Sequence, residues 1–150
     1  MRVVIQRVKE ASVTINNLEV RKIRMGFVIL LGIEDGDSTN DIDWLCGKIS
    51  KLRVFDDEQK VMNNSITDIN GDVLIISQFT LYASTKKGNR PSYIRASQPK
   101  FAIPLYEEFI LKLGIETHKK TVTGEFGAHM DVSLINDGPV TIIIDSKNRE

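Results

Sequence analysis

Cysteine is nearly absent from the chain: Cys46 is the only one, so no disulfide can form within it and Cys-rich metal sites are excluded. Long hydrophobic runs are missing too. The longest apolar stretch, Phe27-Val28-Ile29-Leu30-Leu31, falls far short of the roughly 20 residues a membrane helix needs. The N-terminus runs straight into Val3-Val4-Ile5, without the charged, apolar and small-residue order of a secretory signal, so a cytoplasmic location is expected. Neither sign of charge dominates. Lys plus Arg and Asp plus Glu number 20 each, for a formal net charge of +0. That argues against a broad basic surface for long nucleic acid, but it leaves room for a short RNA end held by a local patch. No Gly-rich loop opens a helix, which disfavours a doubly wound nucleotide-binding fold. With no His-Glu-x-x-His, paired cysteine or carboxylate cluster, neither a metal nor a cofactor is expected.

What the chain does contain is an ordinary globular balance, 41% hydrophobic and 27% charged over 150 residues. That length can bury a core without staples and fits a single domain spanning residues 1–150. The N-terminal third reads as strands, with Asn16-Asn17 as a turn before a strand containing Val20 and Ile23. Phe27 to Leu31 reads as a strand buried on both faces. Ile42, Leu45, Ile49 and Leu52 fall at helical spacing behind the capping candidates Ser38, Thr39 and Asp41. Arg53-Val54-Phe55 reads as a short strand before the acidic loop Asp56-Asp57-Glu58. Asn70-Gly71-Asp72 is a turn leading into a strand, Val73 to Ile76. A second helix is expected from about Pro99 to Leu113, with Gly114 as its stop and Pro104 delaying its first turn. Thr117 to Val122, Met130 to Ile135 and Val140 to Asp145 read as three closing strands. The order implies an α+β fold: a largely antiparallel, barrel-like sheet with two helices.

Two segments draw attention for chemistry. In Ser77-Gln78-Phe79-Thr80, a strand of aliphatics ends abruptly in three hydrogen-bonding side chains around one aromatic. Read alone, it is a strand leaving the core, or a pocket wall where backbone N–H groups come free. Asn136-Asp137-Gly138-Pro139, read alone, is a turn between two strands. Read with Gly124-Glu125-Phe126-Gly127-Ala128-His129-Met130, with Met1 to Val8 and with Lys86-Lys87-Gly88-Asn89-Arg90-Pro91-Ser92, they mean more. In this order and over essentially the whole chain, the segments resemble the D-aminoacyl-tRNA deacylases.

The resemblance implies a homodimer whose active site lies at the subunit interface and whose substrate is the 3′ acceptor end of an aminoacylated tRNA. Gly138-Pro139 of one subunit would be a cis peptide entering the partner's pocket, with Arg7 fixing its orientation. Ser77, Gln78, Phe79 and Thr80 would line that pocket, and Phe126 and Met130 would border it near the terminal adenosine. A main-chain filter of this kind reads handedness without reading the side chain, so it would reject L-aminoacyl esters and let glycyl-tRNA through. Thr80 is the nucleophile by residue type, but it needs a base or an activating amine. The two histidines, His118 and His129, lie in no triad pattern. The preferred mechanism therefore uses the ribose 2′-hydroxyl beside the ester, with the backbone N–H groups of Phe79 and Thr80 on the oxyanion. Lys86, Lys87 and Arg90 are candidates for tRNA phosphates, with Lys119-Lys120 adding to them. Two rivals remain: an esterase or amidase using Thr80 on a non-RNA ester, and a non-catalytic RNA-binding dimer.

Overall fold

The computed structural model describes residues 1–150. Strand β1 (Arg2–Ile15) alternates buried and half-buried residues and is the spine of the sheet. Its far half pairs antiparallel with β2 (Glu19–Ile23) and its near half with β3 (Gly26–Gly32), so both share one edge. Asn16 and Asn17 take positive φ, 50° and 60°, which the tight turn of this hairpin requires and which Asn tolerates. The whole other edge of β1 pairs antiparallel with β8 (Met130–Asp145).

β6 (Asp72–Ser77) lies parallel to β3, and the short β7 (Val122–Thr123) lies parallel to β6. Parallel strands are covered on both faces, which explains their unbroken aliphatic runs. Phe27, Ile29, Leu31, Val73 and Ile75 face a larger core with both helices. Val28, Leu74 and Ile76 face a smaller one inside the curl of the sheet, with Val8, Val13 and Ile15. Arg21 of β2 closes that curl. Its Nη1 donates to the carbonyls of Thr123 (2.7 Å) and Gly124 (3.2 Å) beside β7. The result is the expected α+β architecture, a barrel-like sheet with two helices.

Helix α1 (Thr39–Ser50) starts at Ser38, whose N–H donates to the Asp41 carboxylate (2.9 Å), and it buries Ile42, Leu45 and Ile49. Cys46 is on the same buried face, where burial pushes its thiol up to about 12 and leaves it inert. The short strand after α1 is not Arg53–Phe55 but β4 (Phe55–Asp56), paired with β5 (Met62–Asn64). Helix α2 (Pro99–Glu116) begins directly at Pro99, so Pro104 delays nothing, and it runs through Gly114.

The stop of α2 is His118, at φ 54°. Its N–H bonds the Ile115 carbonyl (3.2 Å) while the Lys119 N–H bonds that of Gly114 (3.1 Å), a left-handed cap that usually falls to glycine. Thr117 and His118 therefore finish a helix and belong to no strand. Met130–Ile135 and Val140–Asp145 are likewise not separate strands. They are the two halves of β8, and Asp137–Val140 is an irregularity within it.

Candidate active site

β6 and a single 3₁₀ turn, Phe79–Tyr82, build the first half of the site. The Gln78 N–H extends the parallel ladder by one bond, to the Leu31 carbonyl (2.8 Å), and the chain then turns sharply. Tyr82 anchors the turn. Its ring is buried beneath the guanidinium groups of Arg2 (4.9 Å) and Arg95 (5.3 Å), and Arg2 Nη1 also holds the Leu81 carbonyl (2.9 Å). The first N–H groups of such a turn have no partner inside it. Phe79 and Thr80 supply them, and neither donates to a carbonyl in the turns and loops.

A cleft of about 270 Å³ opens beside this turn, and Ser77, Gln78, Phe79, Phe126 and Met130 line it together. Thr80 is not on its wall, but its hydroxyl accepts a hydrogen bond from Gln78 Nε2. Phe126 to Met130 form another part of the wall, and Gly124 leads into it. Gly124 lets Met130 pack directly over the backbone: a Cβ there would displace the Met130 thioether and lie 3.0 Å from Ile76 Cδ1. Phe126 leans edge-on against Tyr106 (5.7 Å), whose hydroxyl donates to the Ile75 carbonyl (3.1 Å). Burial pushes the Tyr106 phenol up to about 12, so it stays a neutral donor. Arg21, Tyr106 and Gly124 thus position the wall. None has a signature in the sequence, because each acts across contacts between distant segments. His129 borders the cleft as well, exposed, with Nε2 3.4 Å from Asp131; it makes no bond to Thr80.

The second half of the arrangement lies elsewhere on the chain. β1 and β8 pair in register up to Gln6–Thr141 and resume at Val8–Asn136, which leaves Asp137 to Val140 bulged out opposite Arg7. Arg7 is only 5% exposed. Its Nε donates to the Asp137 carbonyl (3.0 Å), with the Asp137 carboxylate at 3.3 Å, while Nη1 donates to the Val54 carbonyl. Asn136 staples the far side by accepting the Val140 N–H (3.0 Å). The Gly138-Pro139 peptide is cis, and both residues are exposed. At φ +126° Gly138 admits no side chain without strain, and a Cβ would meet Arg7 Nη2 at 3.0 Å. Roughly 20 Å of strand separates Val132 at the cleft from Gly138. Within one chain, then, Gly138, Pro139 and Arg7 are not brought to the residues of the cleft.

Lys86, Lys87 and Arg90 are exposed on a loop closed by the Ser84–Ser92 bridge, and none enters an ion pair. Between Asp72 and Glu107 the chain has no acidic residue. Lys119 does not join them. It pairs with Asp72, at the start of β6 and so at the opposite end of that strand from Ser77. Lys120 is its neighbour there.

On a barrel-like α+β scaffold the chain thus joins an open cleft at a strand end, a turn with free main-chain N–H groups and a loop whose cations enter no ion pair. The sequence profile of the D-Tyr-tRNA(Tyr) deacylase family matches residues 4–145, and the chain belongs to that family. It is 60% identical to a D-aminoacyl-tRNA deacylase of Flavobacterium johnsoniae and 63% identical to one of Flavobacterium psychrophilum, each over the full length of both chains. Among solved structures it is similar to a c-Myc DNA unwinding element binding protein, with 37% identity and a TM-score of 0.90 over 97% of this chain and 98% of that one.

Proposed function

We propose that this protein hydrolyses the ester bond of D-aminoacyl-tRNA in the cytoplasm, releasing the free D-amino acid and tRNA, and that it works as a homodimer. Family membership carries the reaction class: a hydrolase acting on aminoacyl-tRNA esters. The division of labour rests on one observation. The exposed Gly138-Pro139 bulge is far along β8 from the cleft that Ser77, Gln78 and Phe79 line, so it meets such a cleft in a second copy. β8 has the surface for this contact. None of its residues is fully buried, and Val132, Ile135 and Ile143 are exposed.

Chirality needs a fixed probe. D- and L-aminoacyl esters carry identical groups, and even a whole methylene is worth only about 1–3 kcal/mol of discrimination. The partner's Gly138 and Pro139 carbonyls grip the amino group and occupy the space an L side chain needs. Main-chain atoms ignore which D side chain is present, and glycine, which has none, passes the filter. The reacting carbonyl then lies against the N–H groups of Phe79 and Thr80, which stabilise the oxyanion. The ribose 2′-hydroxyl orients the attacking water, because Thr80 has an amide, not a base, beside it.

The test is parallel hydrolysis of labelled D-tyrosyl-tRNA and L-tyrosyl-tRNA. Release from the D-ester alone is expected, and equal rates, or none from either, contradict the reading.

A further inference from the structure

Phe79 and Tyr93 form an aromatic contact in the open. Their rings meet edge to face at 5.1 Å, yet Phe79 is 55% and Tyr93 39% exposed. Aromatic pairs of this size ordinarily gain their stability from burial. This one sits at the cleft mouth, with Phe79 on the cleft wall and Tyr93 just beyond the Ser84–Ser92 closure of the Lys86–Arg90 loop. Two accessible π faces therefore lie between a cleft and a group of cations with no carboxylate of their own to neutralise them. Aromatic faces beside backbone-seeking cations are the chemistry that recognises unpaired nucleotides.

On the deacylase reading, on which this inference rests, the terminal adenosine occupies the cleft near Phe126 and Met130. The strand leading to it must cross the mouth toward the basic loop. We infer that the Phe79–Tyr93 pair is a second nucleotide subsite, which stacks the base of the unpaired nucleotide preceding the terminal adenosine while Lys86, Lys87 and Arg90 hold its phosphates. Every base has a π face, so stacking of this kind reads single-strandedness, not sequence. It holds the acceptor end of any tRNA and takes no part in the chemical step.

The test compares wild-type protein with Tyr93→Ala and Tyr93→Phe on two substrates: D-tyrosyl-tRNA, and D-tyrosyl-adenosine, which lacks the preceding nucleotide. Tyr93→Ala is expected to raise KM for the tRNA about ten-fold with kcat unchanged, the scale of one lost stacking contact. Tyr93→Phe keeps the face and should match wild type, and all three proteins should treat D-tyrosyl-adenosine alike. An equal KM rise on both substrates, or none on either, overturns the subsite. Should Tyr93→Ala fail to fold, Tyr93→Leu takes its place. A direct readout is 2-aminopurine at the preceding position of uncharged tRNA. Quenching by wild type but not by the alanine variant supports the subsite, and absence of quenching overturns it. Were wild type to release D-tyrosine from neither substrate, the deacylase reading would fall, and the quenching alone would decide the subsite.

Discussion

Thr80 lies in the turn that follows the cleft wall, and its one side-chain partner is the amide of Gln78. An amide N–H donates to the hydroxyl oxygen and cannot take its proton, so the geometry gives Thr80 no general base. Thr80→Ala should therefore slow D-tyrosyl-tRNA hydrolysis by no more than about 10²-fold. A single-turnover loss near 10⁴-fold, the scale of losing a true nucleophile, contradicts the RNA-assisted mechanism. Gly138 is constrained differently. Its φ of +126° and its closeness to Arg7 and Val140 Cγ2 leave no room for a methyl group. Gly138→Ala should displace the bulge and cost about 10²-fold in turnover of the D-ester, the penalty of an ångström-scale misplacement. Circular dichroism and the unfolding midpoint would show that the fold survives.

At the scale of elements, β1 and β8 explain what a linear reading can and cannot find. Val73 to Ile76 marked β6 as a strand, and the two-sided burial of β3 was legible because Phe27 to Leu31 is an unbroken apolar run. So was the Asn16-Asn17 turn, whose positive φ suits Asn, and the Ser38 and Asp41 start of α1. The bulge at Asp137–Val140 was not. Gly-Pro reads locally as a turn, and only pairing with β1, more than a hundred residues away, keeps the strand running through it. The end of α2 misled for a related reason: the left-handed residue is His118 and not the glycine. The Ser77–Thr80 wall was visible as a polar break after aliphatics, whereas Arg21, Tyr106 and Gly124 act through contacts that no spacing encodes.

One tie between elements has a pH signature. Burial of Asp72 opposes its ionisation, but Lys119 and the Arg24 N–H outweigh that and hold the carboxyl below its ordinary value. A depressed carboxyl contributes stability above its unfolded pKa and loses it as pH falls through the folded one. Asp72→Asn should thus destabilise at pH 7 in urea unfolding, and the gap to wild type should close below about pH 4. A gap unchanged at low pH would contradict the pairing.

For the whole molecule, a net charge of +0 conceals a strong local asymmetry, because the acid-free stretch from residue 73 to 106 carries the cations beside the cleft. Binding to tRNA should be salt-dependent despite the neutral total. Replacing Lys86 and Lys87 with Ala should flatten the slope of log affinity against log salt by about 0.7–0.9 per lost phosphate contact. An unchanged slope removes both residues from the interface. The central claim, a site shared between two copies of the chain, is tested most directly by mixing two inactive variants. Gln78→Ala damages the pocket, and Gly138→Ala damages the element that enters it from the partner. Co-expressed, they form mixed dimers in which one of the two sites pairs an intact pocket with an intact bulge. The mixture should recover about a quarter of wild-type D-tyrosyl-tRNA hydrolysis, since random association yields half mixed dimers. Activity no greater than that of the two variants assayed apart would contradict a site built across the dimer.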